Sequence, residues 1–164
     1  MQSDLEGRCA LVTGAQQGIG RACTLALARA GADVAVNWLD DKPGAEAAAA
    51  DIRALGRRAV LVQGSVATSS EAKRIVEEAD AALAGLDTLV NNAGIFPRSP
   101  FLELTVAEWD EVHNVNLKGS FVVAQAVARR MITNGRKGAI VNLSSSSVRG
   151  QAKDTLSSSC SIAS

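Results

Sequence analysis

The chain has 164 residues, enough for one domain with a workable core. Apolar residues make up 47% of it, aromatics only 3%, and there is no tyrosine, so a core must be built from Ala, Val, Leu and Ile, as in a parallel sheet covered by helices. Lys and Arg number 17 against 17 Asp and Glu, a balance that argues against nucleic acid or an acidic membrane surface as partner.

The first predicted strand, residues 8–13, holds the apolar run Cys9-Ala10-Leu11-Val12. It enters the stretch Thr13-Gly14-Ala15-Gln16-Gln17-Gly18-Ile19-Gly20, and a helix-like run over residues 18–30 leads out of it, stopped by Gly31. Glycine takes backbone angles closed to other residues and lets a ligand approach the main chain. The unpaired N–H groups and positive dipole end at a helix start favour an anion, usually the pyrophosphate of a dinucleotide. A glycine triplet can equally be a tight turn without a ligand, but its place between a strand and a helix weighs against that.

The second strand is predicted over residues 33–38. The loop 39–44 follows, in which Pro43 can open a helix over residues 45–55 that ends at Gly56. The third strand covers residues 59–63, and Ser69 or Ser70 can cap a third helix that runs to about residue 84, before Gly85. The fourth strand is residues 87–91. After a loop with Pro97 and Pro100, Thr105 caps a long helical segment with Glu108 at the capping-box position. That segment reaches Thr133, with a break expected near Gly119, and residues 138–143 form the fifth strand. Five alternations of short apolar strand and helix argue an α/β, Rossmann-type doubly wound parallel sheet with right-handed crossovers, strand order 3-2-1-4-5. A ligand would sit at the carboxyl ends of the strands, where the order reverses. Residues 1–150 read as one dinucleotide-binding domain. Residues 151–164 are serine-rich with little apolar periodicity and read as a frayed tail.

Cys9, Cys23 and Cys160 share no metal-like spacing and read as small apolar fillers in a reducing compartment, so no metal site is expected. The first six residues carry neither a basic start nor an apolar signal core, and no apolar run is long enough to span a bilayer. A cytoplasmic protein without a membrane partner is the expectation.

Taken together, the motifs resemble those of the short-chain dehydrogenase/reductase family. Thr13-Gly14-x-x-x-Gly18-Ile19-Gly20 matches its cofactor turn, and Asn91-Asn92-Ala93-Gly94 its motif after strand four. Asn116, within Val115-Asn116-Leu117-Lys118-Gly119, matches the active-site asparagine, and Ser145, in Asn142-Leu143-Ser144-Ser145, the substrate-orienting serine. The resemblance, over about residues 6–150, implies hydride transfer between a nicotinamide and a small alcohol or carbonyl compound. It implies that Gly14, Gln17, Gly18, Ile19 and Gly20 hold the pyrophosphate. Asn92, Ala93 and Gly94 would line the adenosine-ribose side and brace the sheet, while Thr13 and Asn91 bond neighbouring backbone.

Cofactor choice rests on the end of strand two, where an acid binds the ribose 2′-hydroxyl of NAD and a basic residue accommodates the NADP phosphate. Trp38 falls on the family's acidic position and Leu39 on its common basic one, so neither rule is met. Gln17 stands where NADP users often carry Arg or Lys. Asp40 and Asp41 lie just beyond and would repel a phosphate dianion, which favours NAD, although the pair can also be a solvated loop. After strand three, Ser65-Val66 replaces the family's Asp-Val, leaving a neutral hydroxyl to face the adenine and Val66 to offer backbone and side chain to the ring.

The family's proton donor is a tyrosine whose pKa is lowered by a lysine four residues on, because a phenol at about 10 is too weak an acid at neutral pH. Its spacing lands on Ser158 and Ile162 here, and Lys153 is out of register. The chain is therefore expected to be truncated or altered relative to the family after the strand-five serine, to lack the helices and strands that close the substrate pocket, and to be impaired in turnover. A non-catalytic dinucleotide-binding module is the alternative. So is an interaction partner of a full-length relative, with a possible homo-oligomer through the long Asn116 helix and an exposed apolar stripe of Val122, Val123, Ala126 and Val127. His113 reads as a surface or packing residue. The cluster Arg129, Arg130, Arg136 and Lys137 is attributed to the helix dipole.

Overall fold

A computed structural model of the chain describes residues 4–97 and 99–145. The expectations that fall on residues 146–164, namely the tail, Lys153, Ser158, Cys160 and Ile162, lie outside the described residues.

Five parallel strands, β1 (Cys9–Val12), β2 (Asp33–Trp38), β3 (Ala59–Gln63), β4 (Thr88–Asn91) and β5 (Ala139–Asn142), form one sheet in the order β3-β2-β1-β4-β5. Helices α1 (Gly18–Arg29), α2 (Lys42–Ala54) and α3 (Ser69–Leu83) follow the first three strands. Between β4 and β5 lie α4 (Val106–Val112), a π-helical stretch (His113–Gly119) and α5 (Ser120–Thr133). No helix among the described residues is long and apolar enough to cross a membrane.

The period-two alternation of the strands divides the core in two. Val12, Val34, Val36 and Val90 pack with Ala28, Ala45, Ala48 and Ile52 of α1 and α2. Leu11, Ala35, Val62 and Leu89 pack on the opposite side with Ile75, Val76, Leu83, Val123 and Val127 of α3 and α5. Alanines at the contact let α2 lie close to the sheet: Ala45, Ala48 and Ala49 are fully buried. The stripe Val122, Val123, Ala126 and Val127 is thus not exposed, which corrects the expectation; it is the core face of α5. The outward apolar residues of α5 are Phe121 and Ile132, 61% and 79% exposed.

Several boundaries differ from the sequence reading for local reasons. Helix α2 starts at Lys42, ahead of Pro43, because the Asp41 carboxylate accepts the Gly44 N–H at 3.0 Å and caps it. Helix α3 is preceded by Thr68 rather than capped by a serine; Ser69 is its first residue. Its left-handed stop is carried by Ala84 at φ 62°, with the Gly85 N–H reaching back to the Asp80 carbonyl at 2.8 Å. The Thr105–Glu108 capping box forms as expected. The helical segment is not broken at Gly119; it widens into the π-helical stretch that ends there. Arg130, in the last turn of α5, also pairs with Glu77 at 3.6 Å and Asp80 at 3.9 Å, and Arg136 with the buried Asp87 at 3.3 Å, so ion pairs add to the dipole for these two members of the cluster. His113 stacks on Trp109 at 4.2 Å and bonds the Trp109 carbonyl through Nδ1.

Asp33 ties the start of β2 to β3: its carboxylate accepts the Arg58 N–H and the Arg58 guanidinium, both at 2.7 Å. Burial works to raise its pKa, but the Arg58 backbone and side-chain hydrogen bonds, with the charges of Arg58 and Arg57, outweigh it and hold the carboxyl below its usual range. A depressed carboxylate contributes stability that is complete above its unfolded value, about 3.9, and is lost as pH falls through the lower folded value. Urea denaturation below pH 4 should therefore show a loss of stability with acid that is shallower in Asp33→Asn.

Candidate cofactor and substrate site

The glycine turn follows β1, whose neighbours are β2 and β4, so it sits at the middle of the carboxyl edge of the sheet. Gly14 and Gly18 have φ of 61° and 54°, left-handed values that favour glycine. At Gly20 φ is ordinary and the constraint is space: an added Cβ would overlap the Gly14 carbonyl oxygen and lie 2.5 Å from Asn92 Nδ2. Thr13 and Asn92 hold the turn from below. The Asn92 and Ala93 N–H groups both donate to Thr13 Oγ1 at 3.0 Å, while Asn92 Nδ2 donates to the Thr13 and Gly14 carbonyls at 3.0 and 2.9 Å. The Asn92 side chain thus braces the glycine turn, a role beyond the sheet bracing that the resemblance implies.

Above the turn, the start of α1 is left open. Its first internal hydrogen bond is from the Arg21 N–H to the Gln17 carbonyl, so the amides of Gly18, Ile19 and Gly20 precede it. The Gln17 side chain makes no capping bond, and no acidic residue lies in the first turn. Gln17 and Ile19 are solvent-exposed, Ile19 with most of its side chain. The amides of Gly18, Ile19 and Gly20, at a positive helix end with no acidic residue in the first turn, form a candidate anion cradle.

Seven of the sequence-predicted site residues line two hollows to either side of the glycine turn, while Gly14, Gln17, Gly18, Ile19 and Gly20 belong to the turn and helix start themselves. One hollow, of about 480 Å³, lies over the ends of β4 and β5 and is lined by Asn91, Asn92, Ala93, Gly94, Asn116, Leu117, Ser120, Phe121, Ala124, Asn142, Leu143, Ser144 and Ser145. It brings Asn116 and Ser145 together. The Asn116 side chain is locked to the loop after β4: Oδ1 accepts the Ile95 N–H at 2.8 Å and Nδ2 donates to the Ile95 carbonyl at 3.0 Å. The π-helical stretch places the Asn116 carbonyl where Ser120 Oγ donates to it at 2.9 Å. Asn91 Nδ2 donates to the Ser120 carbonyl and to Asn142 Oδ1, so Asn91 bonds backbone as expected and joins β5 to α5.

The other hollow, of about 390 Å³, lies over β2 and β3 and is lined by Leu39, Gln63, Gly64, Ser65, Glu71, Arg74 and Glu78. Ser65 Oγ accepts the Ala67 N–H, and the Ser65 N–H donates to Glu71 Oε2 at 3.1 Å. That bond, then the Arg74 guanidinium, holds the Glu71 carboxyl below its ordinary value. Two residues do not face this hollow with their side chains. Trp38, 8% exposed, packs in the core with Ala45, Ala48 and Ile52, since alternation along β2 turns it the same way as Val34 and Val36. Val66 is buried against Gly119 in the other core cluster, so its side chain is not offered to a ring. Asp40 accepts Gln16 Nε2 at 3.4 Å. Gln16 Oε1, Asn91 Oδ1 and Arg21 Nε are buried side-chain polar atoms with no hydrogen-bond partner among the described residues.

Sequence reading missed Asn37 and Glu71. Asn37 was legible as a polar residue inside an otherwise apolar strand; nothing in the pattern marked Glu71. No group of His, Cys, Asp and Glu able to hold a metal occurs among the described residues.

The carboxyl edge of the sheet thus carries the glycine turn at its middle and a hollow to either side. The family model of the short chain dehydrogenases matches residues 8–159, and the chain belongs to the short-chain dehydrogenase/reductase family. It is 42% identical over 141 residues to an L-rhamnose 1-dehydrogenase (NAD(P)(+)) from Sphingomonas, covering 86% of this chain and 56% of that one. It is also 42% identical over 138 residues to a 3-oxoacyl-[acyl-carrier-protein] reductase FabG from Staphylococcus epidermidis, with coverages of 84% and 56%. Among solved structures, a short chain dehydrogenase from Burkholderia cenocepacia in complex with NADP superposes with TM-score 0.89 at 37% identity, covering 97% of this chain and 64% of that one. An acetoin dehydrogenase from Enterobacter cloacae gives 0.90 at 31%, with coverages of 98% and 64%. The chain thus spans a little over half the length of these curated relatives.

Proposed function

We propose that this chain is the cofactor-binding portion of a nicotinamide-dependent oxidoreductase acting on a small alcohol or carbonyl compound, with residues 1–150 as its dinucleotide-binding domain. The observation that carries the reading is the open start of α1 above a turn braced by Thr13 and Asn92. The Gly18, Ile19 and Gly20 amides would hold the pyrophosphate; Leu39, Ser65 and the backbone of Val66 would border the adenosine, Asn92, Ala93 and Gly94 the adenosine-ribose side, as the resemblance implies, and Asn116 the nicotinamide side. A bound nicotinamide supplies the hydride donor or acceptor. Ser145 would orient the substrate oxygen by a hydrogen bond, and Asn116, fixed by Ile95, would present its carbonyl to a proton-relay water.

NAD is preferred over NADP. Asp40 and Asp41 lie at the end of β2, and Lys42, the adjacent cation, is paired with Glu46 at 3.7 Å. The relatives named for L-rhamnose, 3-oxoacyl and acetoin substrates differ among themselves, so the reading commits to a substrate class and not a compound. Because the sequence contains no tyrosine, binding should exceed turnover. Calorimetric titration and thermal shift should show NADH binding more tightly than NADPH, with slow or no nicotinamide-dependent conversion of secondary alcohols and ketones. No heat and no shift with either nucleotide would reject the reading.

The exposed Phe121 and Ile132 favour α5 as a homo-oligomer contact. Sedimentation velocity should show a dimer or larger species that Phe121→Asp dissociates.

A further inference from the structure

Asn37 is the penultimate residue of β2, 2% exposed, in a strand whose other buried side chains are apolar apart from the Trp38 indole nitrogen. A buried carboxamide must place both of its ends. Here Oδ1 accepts the Gly14 N–H at 3.2 Å, and Nδ2 donates to the Val62 and Gly64 carbonyls, each at 3.1 Å. The Asn37 main-chain carbonyl adds a bond from the Ala15 N–H at 2.7 Å. One residue therefore ties the glycine turn, the end of β2 and the loop after β3 together. These are the anion cradle and two walls of the β2–β3 hollow. Gly64, at φ 156°, has its carbonyl turned to Asn37 and is followed directly by Ser65.

An unpaired carbonyl in this layer would turn toward water, and the turn and the loop would then move independently. A ligand that touches both would have to order them on binding.

We propose that Asn37 is a positioning residue for dinucleotide binding. Its carboxamide sets the pyrophosphate turn and the adenine-side loop in one geometry before the ligand arrives. Asn37 touches no ligand; it acts through Gly14 and Gly64. The proposal rests on the nucleotide-binding reading above. It further implies that the adenosine diphosphate half of the ligand is what Asn37 prepares for, because both segments it joins lie on that side.

The test compares wild type, Asn37→Leu and Asp80→Asn. Asp80 is also buried and hydrogen-bonded, to the Leu86 N–H at 2.8 Å, but at the far end of α3, so Asp80→Asn serves as a control for lost stability. Dissociation constants for NADH and ADP-ribose are measured by calorimetry beside the melting temperature. Asn37→Leu should weaken both ligands by the same factor, about tenfold, the lower end of what loss of an outer hydrogen-bonding partner costs at metal sites. Asp80→Asn should lower the melting temperature with both constants unchanged. Equal affinities in a folded Asn37→Leu, or loss of NADH with ADP-ribose unaffected, would overturn the proposal. If Asn37→Leu does not fold, hydrogen exchange of the wild type decides: the Gly14 and Ala15 amides should be protected without ligand, and rapid exchange there would overturn it. A wild type that binds neither ligand would sink the nucleotide reading itself, a separate outcome.

Discussion

Gly20→Ala should raise the dissociation constant for NADH by about tenfold or more and lower the melting temperature by several degrees. The added methyl has nowhere to go: its neighbours are the Gly14 carbonyl, Asn92 Nδ2 at 2.5 Å and the Ala15 Cα at 3.0 Å. Two of these are backbone, so relief requires the first turn of α1 to lift off the glycine turn. Overpacking of this kind costs about 1–3 kcal/mol, or about 2–4 °C per kcal/mol in a chain of this size. The binding loss comes on top, because the amides of residues 18–20 move with the helix start. Gly18→Ala is an informative contrast. Its Cβ would meet nothing within 4 Å, so its penalty is the left-handed backbone at φ 54°, about 1–2 kcal/mol. Titration calorimetry with melting curves on both variants separates overlap from strain. A Gly20→Ala protein that binds NADH like the wild type would show that α1 does not seat on the turn as described.

Thr13→Val tests the brace beneath the turn and should cost about 3 kcal/mol of folding stability. Thr13 is buried, and its hydroxyl accepts two backbone N–H groups, those of Asn92 and Ala93. Valine fills the same volume and accepts neither. Each donor left unsatisfied here is part-buried and costs toward the lower end of the about 1–3 kcal/mol of a buried one, and the melting temperature should fall by about 6–12 °C. Thr13→Ser keeps the acceptor and should recover most of the loss, which a packing defect alone would not allow. Because residues 92–94 line the larger hollow, NADH affinity should fall in Thr13→Val and return in Thr13→Ser.

Some of the site was legible because local chemistry leaves little choice. The bounds of β2 and β3 and the start of α1 follow from apolar runs bounded by loops and glycines, and the structure places them where the sequence reading did. The early start of α2 is not legible from Pro43 alone: the Asp41 carboxylate, while keeping its charge, also caps the helix ahead of it. The resemblance puts Trp38 and Val66 at cofactor-side positions of the family, but a position along the chain does not say which way its side chain turns. Which way a side chain turns is set by the pleat and by its neighbours, and both turn into the core. The Val122–Val127 stripe failed for a related reason: an apolar face marks a need for cover, and α3 supplies that cover.

Thus the strand order and the place of the glycine turn on the sheet edge were already written in one dimension. Backbone stereochemistry and hydrophobic period act over a few residues, and a glycine between a strand and a helix carries its own consequence. The partners of Thr13, Asn37, Asn91 and Asn92 were not, since they lie 23 to 80 positions away along the chain. A buried amide or hydroxyl declares that it needs a partner, but only packing the strands side by side determines which donor or acceptor meets it.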